Sequence, residues 1–241
     1  MPNLNNLKRS QFVVGAVRAL RGLKADLRVL AWLAERNGKI TQYLESHETK
    51  KLQIGASNNV LDGWLNTDIF LNHRSIIYLD ATRRFPFPDN TFDYVMSEHM
   101  IEHIEYRGAE FMLRECLRIL KPGGRVRFAT PDLQVLMALY SQDKTDAQKH
   151  YLDWAIANLM PDVTNCREVF VINNFFRAWG HMFLYDKQTL SHLLKVSGFR
   201  EIKFHKPASS DDTNLRNIEG HGREITEDIN QFETMVVEGC K

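Results

Sequence analysis

The eight letters SEHMIEHI, residues 97–104, contain two histidines and two glutamates whose spacing could support chemistry. His99, Glu102 and His103 have the spacing H-x-x-E-H, which on an α-helix offers two imidazoles to one metal ion, as in one group of zinc peptidases. At the end of a buried strand, the same letters would instead border a ligand site. No third ligand motif is evident, and both histidines would lie in the first turns of a helix fixed at a sheet edge. The sequence therefore predicts no metal ion.

Short apolar runs alternate with helical stretches from residue 50 onward. The stretch AEFMLRECLRILKPGG, residues 109–124, has its apolar positions on one helical face and ends at Lys121-Pro122-Gly123-Gly124, where proline cannot continue a helix. This alternation predicts an α/β fold, a mainly parallel sheet with helices on both faces. The predicted strands are Leu52 to Gly55, Trp64 to Ile69, Ile76 to Asp80, Phe92 to Met96, Arg125 to Ala129, Glu201 to His205 and Phe232 to Val237.

The composition is that of an ordinary globular protein, with 44% hydrophobic and 25% charged residues in 241. A formal net charge of +1 gives no case for a nucleic acid partner. The three cysteines show no C-x-x-C spacing and favour a reducing compartment. No apolar run approaches the roughly 20 residues that a membrane span needs. We therefore expect a cytoplasmic protein.

An amphipathic helix is predicted over residues 8–36, with arginines and lysines between apolar positions three or four apart. This helix could pack on the rest of the chain, pack on a partner subunit in a homodimer, or make a weak contact with an anionic membrane surface. The predicted organisation is a helical N-terminal extension, residues 1–49, followed by one domain, residues 50–241.

The carboxyl ends of the predicted strands are where a ligand should lie in such a sheet. The run LQIGASNN is a strand and a turn of small residues, but Ser57 and Val60 stand where a dinucleotide fingerprint needs glycines. Asp68 follows Gly55 by 13 positions, and Asp80 ends the third strand. Two carboxylates without a phosphate-binding turn suit a cationic adenosine derivative. One carboxylate could accept hydrogen bonds from ribose hydroxyls, and the other from the exocyclic amine of adenine. The alternative is that both aspartates only form turns.

Three segments together resemble the class I S-adenosylmethionine-dependent methyltransferases: KLQIGASNNVLDGWLNTDI, LDATRRFPFPDNTFDYVMSEHMIEHI and LRILKPGGRVRFATPDL. With the later segment GHMFLYDKQTLSHLLKVSGF, they are similar more narrowly to bacterial predicted methyltransferases found among polysaccharide-biosynthesis enzymes. The resemblance covers residues 50–238. It implies a Rossmann-like seven-stranded sheet with an antiparallel last strand, S-adenosylmethionine as cofactor, and a small-molecule or saccharide acceptor.

The resemblance also implies roles for the residues at the strand ends. Gly55 and Ala56 would lie near the amino-acid part of the cofactor, and Asp68 would hold the ribose. Ser57 and Ile69 would be further cofactor-binding residues. The adenine would lie against Asp80 and Ala81, and the methionyl chain above Ser97 and Glu98. Two positions depart from the family pattern, since Gln53 replaces its acidic residue and Ser57 its usual second glycine. The missing carboxylate would weaken the hold on the cofactor's ammonium group.

Two histidines are candidate catalytic residues. His99 could hold the strand exit in place, contact acceptor or cofactor, or accept a proton; His181, just after Gly180, is the preferred base. The aromatic residues around His181, in the stretch VINNFFRAWGHMFLYD, are predicted to be mostly core. The polar segment 206–231 is interpreted as a mobile flap whose His221 and Arg223 could meet the acceptor. A non-catalytic scaffold of the same fold is the alternative function.

Overall fold

In a computed structural model of the protein, residues 35–241 are described. The amphipathic helix predicted over residues 8–36 lies outside them, except for its last two positions. Helix α1 covers residues 35–46, and His47–Lys241 form a separate compact unit. The predicted boundary between residues 1–49 and 50–241 stays a prediction. No helix in this part of the chain is long and apolar enough to cross a membrane.

Seven strands form one sheet in the order β3-β2-β1-β4-β5-β7-β6. Strand β7 is antiparallel to both of its neighbours, and the β1, β2, β3, β4 and β5 pairings are parallel. This architecture confirms the predicted fold class. The strands are β1 Lys51–Ile54, β2 Leu65–Asp68, β3 Ile77–Tyr78, β4 Phe92–Glu98, β5 Leu120–Pro131, β6 Arg200–His205 and β7 Thr234–Cys240.

The helices connect and cover these strands. Helix α2 buries its apolar face, including Met112, Leu113 and Cys116, as its periodicity predicts. The α-helices after α1 are α2 Tyr106–Ile119, α3 Leu133–Ala138, α4 Asp146–Leu159, α5 Glu168–Arg177, α6 Lys187–Ser197, α7 Gly222–Ile225 and α8 Glu227–Glu233. Two 3₁₀ helices, Ile101–His103 and Thr213–Leu215, lie in the connections.

The sequence Lys121 to Gly124 belongs to β5 and is not a separate turn. Helix α2 ends at Ile119, shortly before the predicted stop at Lys121, and β5 begins directly after it at Leu120. The register between β4 and β5 shifts at this point, which accommodates the two glycines within the strand. Gly124 is closely packed, because a Cβ there would lie 2.9 Å from the Lys121 carbonyl oxygen. The prediction missed this because Pro-Gly-Gly locally favours a turn, while strand pairing decides the outcome.

The order of the strands brings the carboxyl ends of β1, β2 and β4 together. Strand β1 lies between β2 and β4, so the strand order reverses next to it, where α/β sheets bind their ligands. In the register, Ile54 pairs with Thr67 on one side and with Ser97 on the other. The turn at Gly55, the carboxylate of Asp68 and the end of β4 therefore share one edge.

An apolar cluster lies among α3, α4, α5 and α8. It includes Leu136, Tyr151, Val171 and Phe175, all buried. The aromatics around His181 are only partly core, because Phe176 and Trp179 are 47% and 52% exposed. The expectation that most of them are buried was therefore wrong for these two side chains.

Candidate active site

The turn after β1 requires a glycine. Gly55 has a φ of +76°, and a Cβ there would lie 2.5 Å from Cγ of Met100. The backbone N–H groups of Gly55 and Ala56 both donate to the Thr67 carbonyl oxygen, at 2.9 and 3.0 Å. The turn is thus fixed to β2 and brings backbone atoms, with no side chain at Gly55, to the edge of the sheet.

Asp68 joins the first two strand ends through its carboxylate. Its Oδ2 accepts from the Ser57 N–H at 2.9 Å, and its Oδ1 accepts from the Phe70 N–H at 2.8 Å. Each oxygen keeps a second lone pair, so hydrogen bonds from two ribose hydroxyls are compatible with this arrangement. Beside it, Ile69 is 49% exposed, and its contact with the cofactor stays a prediction.

Asp80 forms a turn with its own neighbours. Its Oδ1 accepts from Thr82 N and Oγ1, at 2.9 and 2.6 Å, and its Oδ2 lies 3.1 Å from Arg83 Nε. The turn-forming alternative thus describes what Asp80 does in this structure. Ala81 is buried beside it. A role toward adenine stays a prediction for both residues.

Buried polar atoms without a partner mark the edge between β1 and β4. Gln53 donates through Nε2 to the Asn59 carbonyl oxygen at 2.9 Å, but its Oε1 makes no hydrogen bond to any described residue. The Ser97 hydroxyl is likewise buried and without a hydrogen bond within residues 35–241. Such atoms normally have a partner, so they fit a ligand that supplies one. The carbonyl oxygen of Gln53 could accept from an ammonium group.

Glu98 is occupied by the protein's own chain. Its carboxylate accepts from Gly220 N at 2.8 Å, from His221 N at 2.9 Å and from Asn59 Nδ2 at 3.1 Å. It therefore holds the 206–231 segment against the turn after β1, and Arg223 adds a hydrogen bond from Nη2 to Asn59 Oδ1 at 2.6 Å. The predicted contact of Glu98 with the cofactor stays a prediction.

The 206–231 segment is packed, which contradicts its interpretation as a loose flap. Leu215 is fully buried. Arg127, also fully buried, donates from Nε to Glu219 Oε1 at 2.5 Å and from Nη1 to the Ser209 carbonyl oxygen at 2.9 Å. The polar composition of the segment suggested solvent exposure, whereas Glu219 and the backbone of Ser209 are partners of this buried arginine.

The H-x-x-E-H sequence does not form an α-helix. His99 has a φ of +44°, and a 3₁₀ helix covers only Ile101–His103. His99 Nδ1 lies 3.2 Å from Glu102 Oε1, and its Nε2 is 3.1 Å from Thr234 Oγ1. Its ring also lies against the His221 ring, with centroids 3.9 Å apart. These contacts fit the interpretation that His99 holds the strand exit in place.

The charges of His99 and Glu102 stabilise each other. Burial alone would lower the pKa of His99, but the nearby carboxylates, Glu102 first among them, raise the pKa above its ordinary value. Burial would likewise raise the pKa of Glu102, and His99 holds that pKa below its ordinary value. Glu102 is fully buried, and its Oε2 accepts from Thr130 Oγ1 at 3.0 Å.

His181 comes close to His103, 78 positions away in sequence. Their rings are 4.8 Å apart in an edge-to-face arrangement, and His181 Nδ1 lies 2.6 Å from the Phe175 carbonyl oxygen. Since that oxygen can only accept, Nδ1 carries the proton and Nε2 keeps a free lone pair. Burial lowers the pKa of His181, so the ring is neutral at physiological pH.

A cavity of about 260 Å³ opens beside His181. Apart from the histidine, its lining is apolar and consists of Leu133, Phe176, Met182, Phe183 and Leu184. The backbone of Glu102 fixes this wall, because its carbonyl oxygen accepts from the N–H groups of Met182 and Phe183. The structure thus brings His99, Glu102, His103 and His181 into one polar cluster that borders an apolar cavity.

Two further residues of this cluster were missed from the sequence. Glu233 accepts from the Tyr151 hydroxyl at 2.5 Å and lies 3.3 Å from His221 Nε2. Both Glu233 and Tyr151 are buried. Tyr151 lies in the 14-residue helix α4, and Glu233 ends the short helix α8. Both helices mix polar and apolar residues, so the sequence gives no clear signal that these two side chains are buried.

Comparison with known proteins supports the resemblance found in the sequence. Residues 32–128 match the family model described as "Methyltransferase domain". A demethylmenaquinone methyltransferase from Corynebacterium kroppenstedtii is 30% identical over 121 residues, 48% of this chain and 46% of that protein. The ubiquinone/menaquinone biosynthesis C-methyltransferase UbiE from Pseudomonas paraeruginosa is 29% identical over 200 residues, 77% of this chain and 70% of that protein.

The chain spans about half the length of most of the curated relatives it matches. Among solved structures, a SAM-dependent methyltransferase from Archaeoglobus fulgidus has a TM-score of 0.47 and 17% identity, covering 89% of this chain and 94% of that one. Together, the family match and the seven-stranded sheet support the resemblance of this chain to the class I S-adenosylmethionine-dependent methyltransferases. S-adenosylmethionine is the cofactor of that class, and the buried atoms of Gln53 and Ser97 fit it.

Proposed function

We propose that this protein is an S-adenosylmethionine-dependent methyltransferase that acts on a small molecule. The observation that supports this most directly is the edge between β1, β2 and β4. It combines the glycine turn at Gly55, the carboxylate of Asp68 and two unpartnered buried polar atoms, those of Gln53 and Ser97. The cofactor would supply an activated methyl group on a sulfonium.

The protein's own task in such a reaction is to place the acceptor and exclude water. The cavity beside His181 is the candidate acceptor site. Its lining is apolar, so the acceptor should present an apolar face, such as a ring, and a polar group toward His181. The Nε2 lone pair of His181 is available to contact that group or to accept its proton.

Two acceptor classes fit this description. A saccharide or glycan, as the polysaccharide-associated resemblance implies, can place the apolar face of its sugar ring on Phe176 and Phe183. A quinone-like ring fits the same lining, and the relatives are named for quinone methylation. The apolar lining favours the ring with fewer hydroxyls. A homodimer, a cytoplasmic location and a weak membrane contact through residues 8–36 stay part of this proposal.

The test is turnover of the full chain with S-adenosylmethionine and a panel of sugars, nucleotide sugars and quinone precursors, followed as S-adenosylhomocysteine formed. We expect turnover with one class, and a His181→Ala variant with at least tenfold lower kcat. His192→Ala is the control, since His192 is exposed on α6. Absence of S-adenosylhomocysteine binding in calorimetry would contradict the proposal.

A non-catalytic scaffold is the second candidate. The observation that favours it is that the Glu98 carboxylate already holds Gly220 and His221, beside Gln53 in place of an acid. The same experiment separates the two functions. Calorimetric binding of S-adenosylhomocysteine without turnover on any acceptor class is the result expected of a scaffold.

A further inference from the structure

The cluster around His181 contains a set of potential metal ligands. Glu102, His103 and His181 each offer one ligand atom, and these atoms all lie within 4.8 Å of one another. We propose that these three side chains bind a divalent transition-metal ion. Ligand atoms around zinc lie roughly 3 to 3.5 Å apart, given bonds of about 2.0 to 2.2 Å. Small side-chain rotations would therefore close the site.

His181 is already oriented as a metal ligand. Its Nδ1–H donates to the Phe175 carbonyl oxygen at 2.6 Å. Metal-binding histidines usually make such a bond through the nitrogen that does not face the metal, since it fixes the tautomer and the ring orientation. The free lone pair is on Nε2, and the His103 ring lies 4.8 Å away, centroid to centroid.

Glu102 supplies the carboxylate, and its Oε1 has room for a further partner. The side chain is fully buried, and Thr130 donates to Oε2. Oε1 lies 3.2 Å from His99 Nδ1 but makes no well-formed hydrogen bond within the described part of the chain. A carboxylate oxygen has two lone pairs, so Oε1 can bind a metal ion while it stays next to His99. Thr130 and His99 would then orient the carboxylate.

The ligand types indicate which metal fits. Two imidazole nitrogens and one carboxylate oxygen form the protein set of many open catalytic zinc sites. Imidazole favours zinc and neighbouring transition metals over Mg²⁺ and Ca²⁺, which prefer oxygen. The set differs from the H-x-x-E-H reading of the sequence, because His181 replaces His99. The third ligand therefore lies 78 positions after His103 in sequence, outside the motif.

An ion at this position would face the acceptor cavity. His181 lines that cavity, so the ion's free coordination positions would be open to an acceptor oxygen. With the Nε2 lone pair of His181 on the ion, the metal would replace His181 as the group that activates the acceptor, since a metal-bound hydroxyl loses its proton more readily. That consequence rests on the proposed function, whereas the metal site itself does not.

The test is a Zn²⁺ titration of the full chain after chelator treatment, in competition with a chromophoric zinc indicator and with neither donor nor acceptor present. We expect one Zn²⁺ per chain. His103→Ala and His181→Ala should each weaken binding by at least about a hundredfold. His192→Ala, which removes an exposed histidine of helix α6 outside the proposed site, should leave the affinity for Zn²⁺ unchanged. A failure of methyl transfer would not affect this readout.

Folding is checked beside binding. Glu102→Gln and His103→Gln keep the side-chain size and are measured with the alanine variants, each by circular dichroism and thermal unfolding. Co²⁺ substituted for Zn²⁺ should give visible absorption bands in the wild type that the folded variants lose. The proposal is overturned if the wild type binds no Zn²⁺, or if folded variants of His103 and His181 bind it as tightly as His192→Ala does.

Discussion

Asp68 is the residue on which the proposed cofactor site depends most directly. Its carboxylate holds Ser57 and Phe70 by two backbone hydrogen bonds and is only 8% exposed. Asp68→Asn removes the charge and turns an N–H₂ group toward one of these backbone donors. A hydrogen bond to a charged group contributes about 1.5 to 3 kcal/mol, so we expect S-adenosylhomocysteine affinity to fall roughly 10- to 100-fold. Isothermal calorimetry measures this directly.

Asp62→Asn is the matched control for Asp68. It is the same chemical change, six positions away, at an exposed residue. Its affinity for S-adenosylhomocysteine should equal that of the wild type. Equal affinities for all three proteins would mean that Asp68 does not hold the ribose.

Some residue roles were accessible from sequence because they are local. Gly55 and Asp68 follow their strands directly, so spacing alone predicts their shared edge. The partners of Glu98 and His103 were not accessible in this way. Gly220 lies 122 positions after Glu98, and four α-helices separate His103 from His181 in sequence. Such contacts depend on packing, which a single sequence does not display.

Arg127 anchors an element that was mistaken for a flap. Besides its bonds to Glu219 and Ser209, its Nη1 donates to Glu238 Oε1 on β7 at 2.5 Å. Arg127→Met would leave two buried carboxylates without their cation. Removing one partner of a buried ion pair costs about 3 to 5 kcal/mol. We expect that loss in the free energy of unfolding, measured by urea denaturation.

Arg125→Met provides the comparison on the same strand. Arg125 is 34% exposed and lies 3.7 Å from Glu201 and 3.9 Å from Asp212. Exposed pairs of this kind contribute about 0 to 1 kcal/mol, so this variant should be nearly as stable as the wild type. Similar losses for both variants would show that burial does not decide the strength of the Arg127 contacts.

Strand positions were predicted to within a few residues because apolar runs and turn residues are local signals. The start of β5 and the packing of the 206–231 segment were not, since each is decided by a partner elsewhere. The fully buried Arg127 looks in sequence like any alternating charged residue of a half-exposed strand. Only its carboxylate partners explain its position.

At the scale of the whole molecule, several carboxyl groups have a lowered pKa. A hydrogen bond from Arg118 holds the pKa of Glu115 below its ordinary value, against the effect of burial. The backbone N–H of Thr189 does the same for the pKa of Asp186. A group whose pKa is lower in the folded state stabilises the fold above its unfolded pKa. That stability is lost as the pH falls through the folded pKa.

We therefore expect the thermal unfolding midpoint to fall as the pH is lowered from about 5 to 2, below the ordinary range of carboxyl pKa values. Glu115→Gln tests one contributor, because glutamine can still accept from Phe85 N but no longer pairs with Arg118 as a charge. Near pH 7 this variant should be about 1.5 to 3 kcal/mol less stable than the wild type. Its midpoint should then fall less steeply in acid.

Glu201→Gln is the control for the acid titration. The Glu201 side chain is 70% exposed, and Arg125 lies 3.7 Å from it. Removing the Glu201 charge should therefore leave the unfolding midpoint and the pH dependence of that midpoint close to those of the wild type. The midpoint of each protein is followed by circular dichroism at steps between pH 7 and pH 2. If Glu115→Gln keeps the full acid slope of the wild type, the charge of Glu115 does not stabilise the fold. The acid sensitivity would then have to come from the other lowered carboxyl groups, of which Asp186 is the next to test.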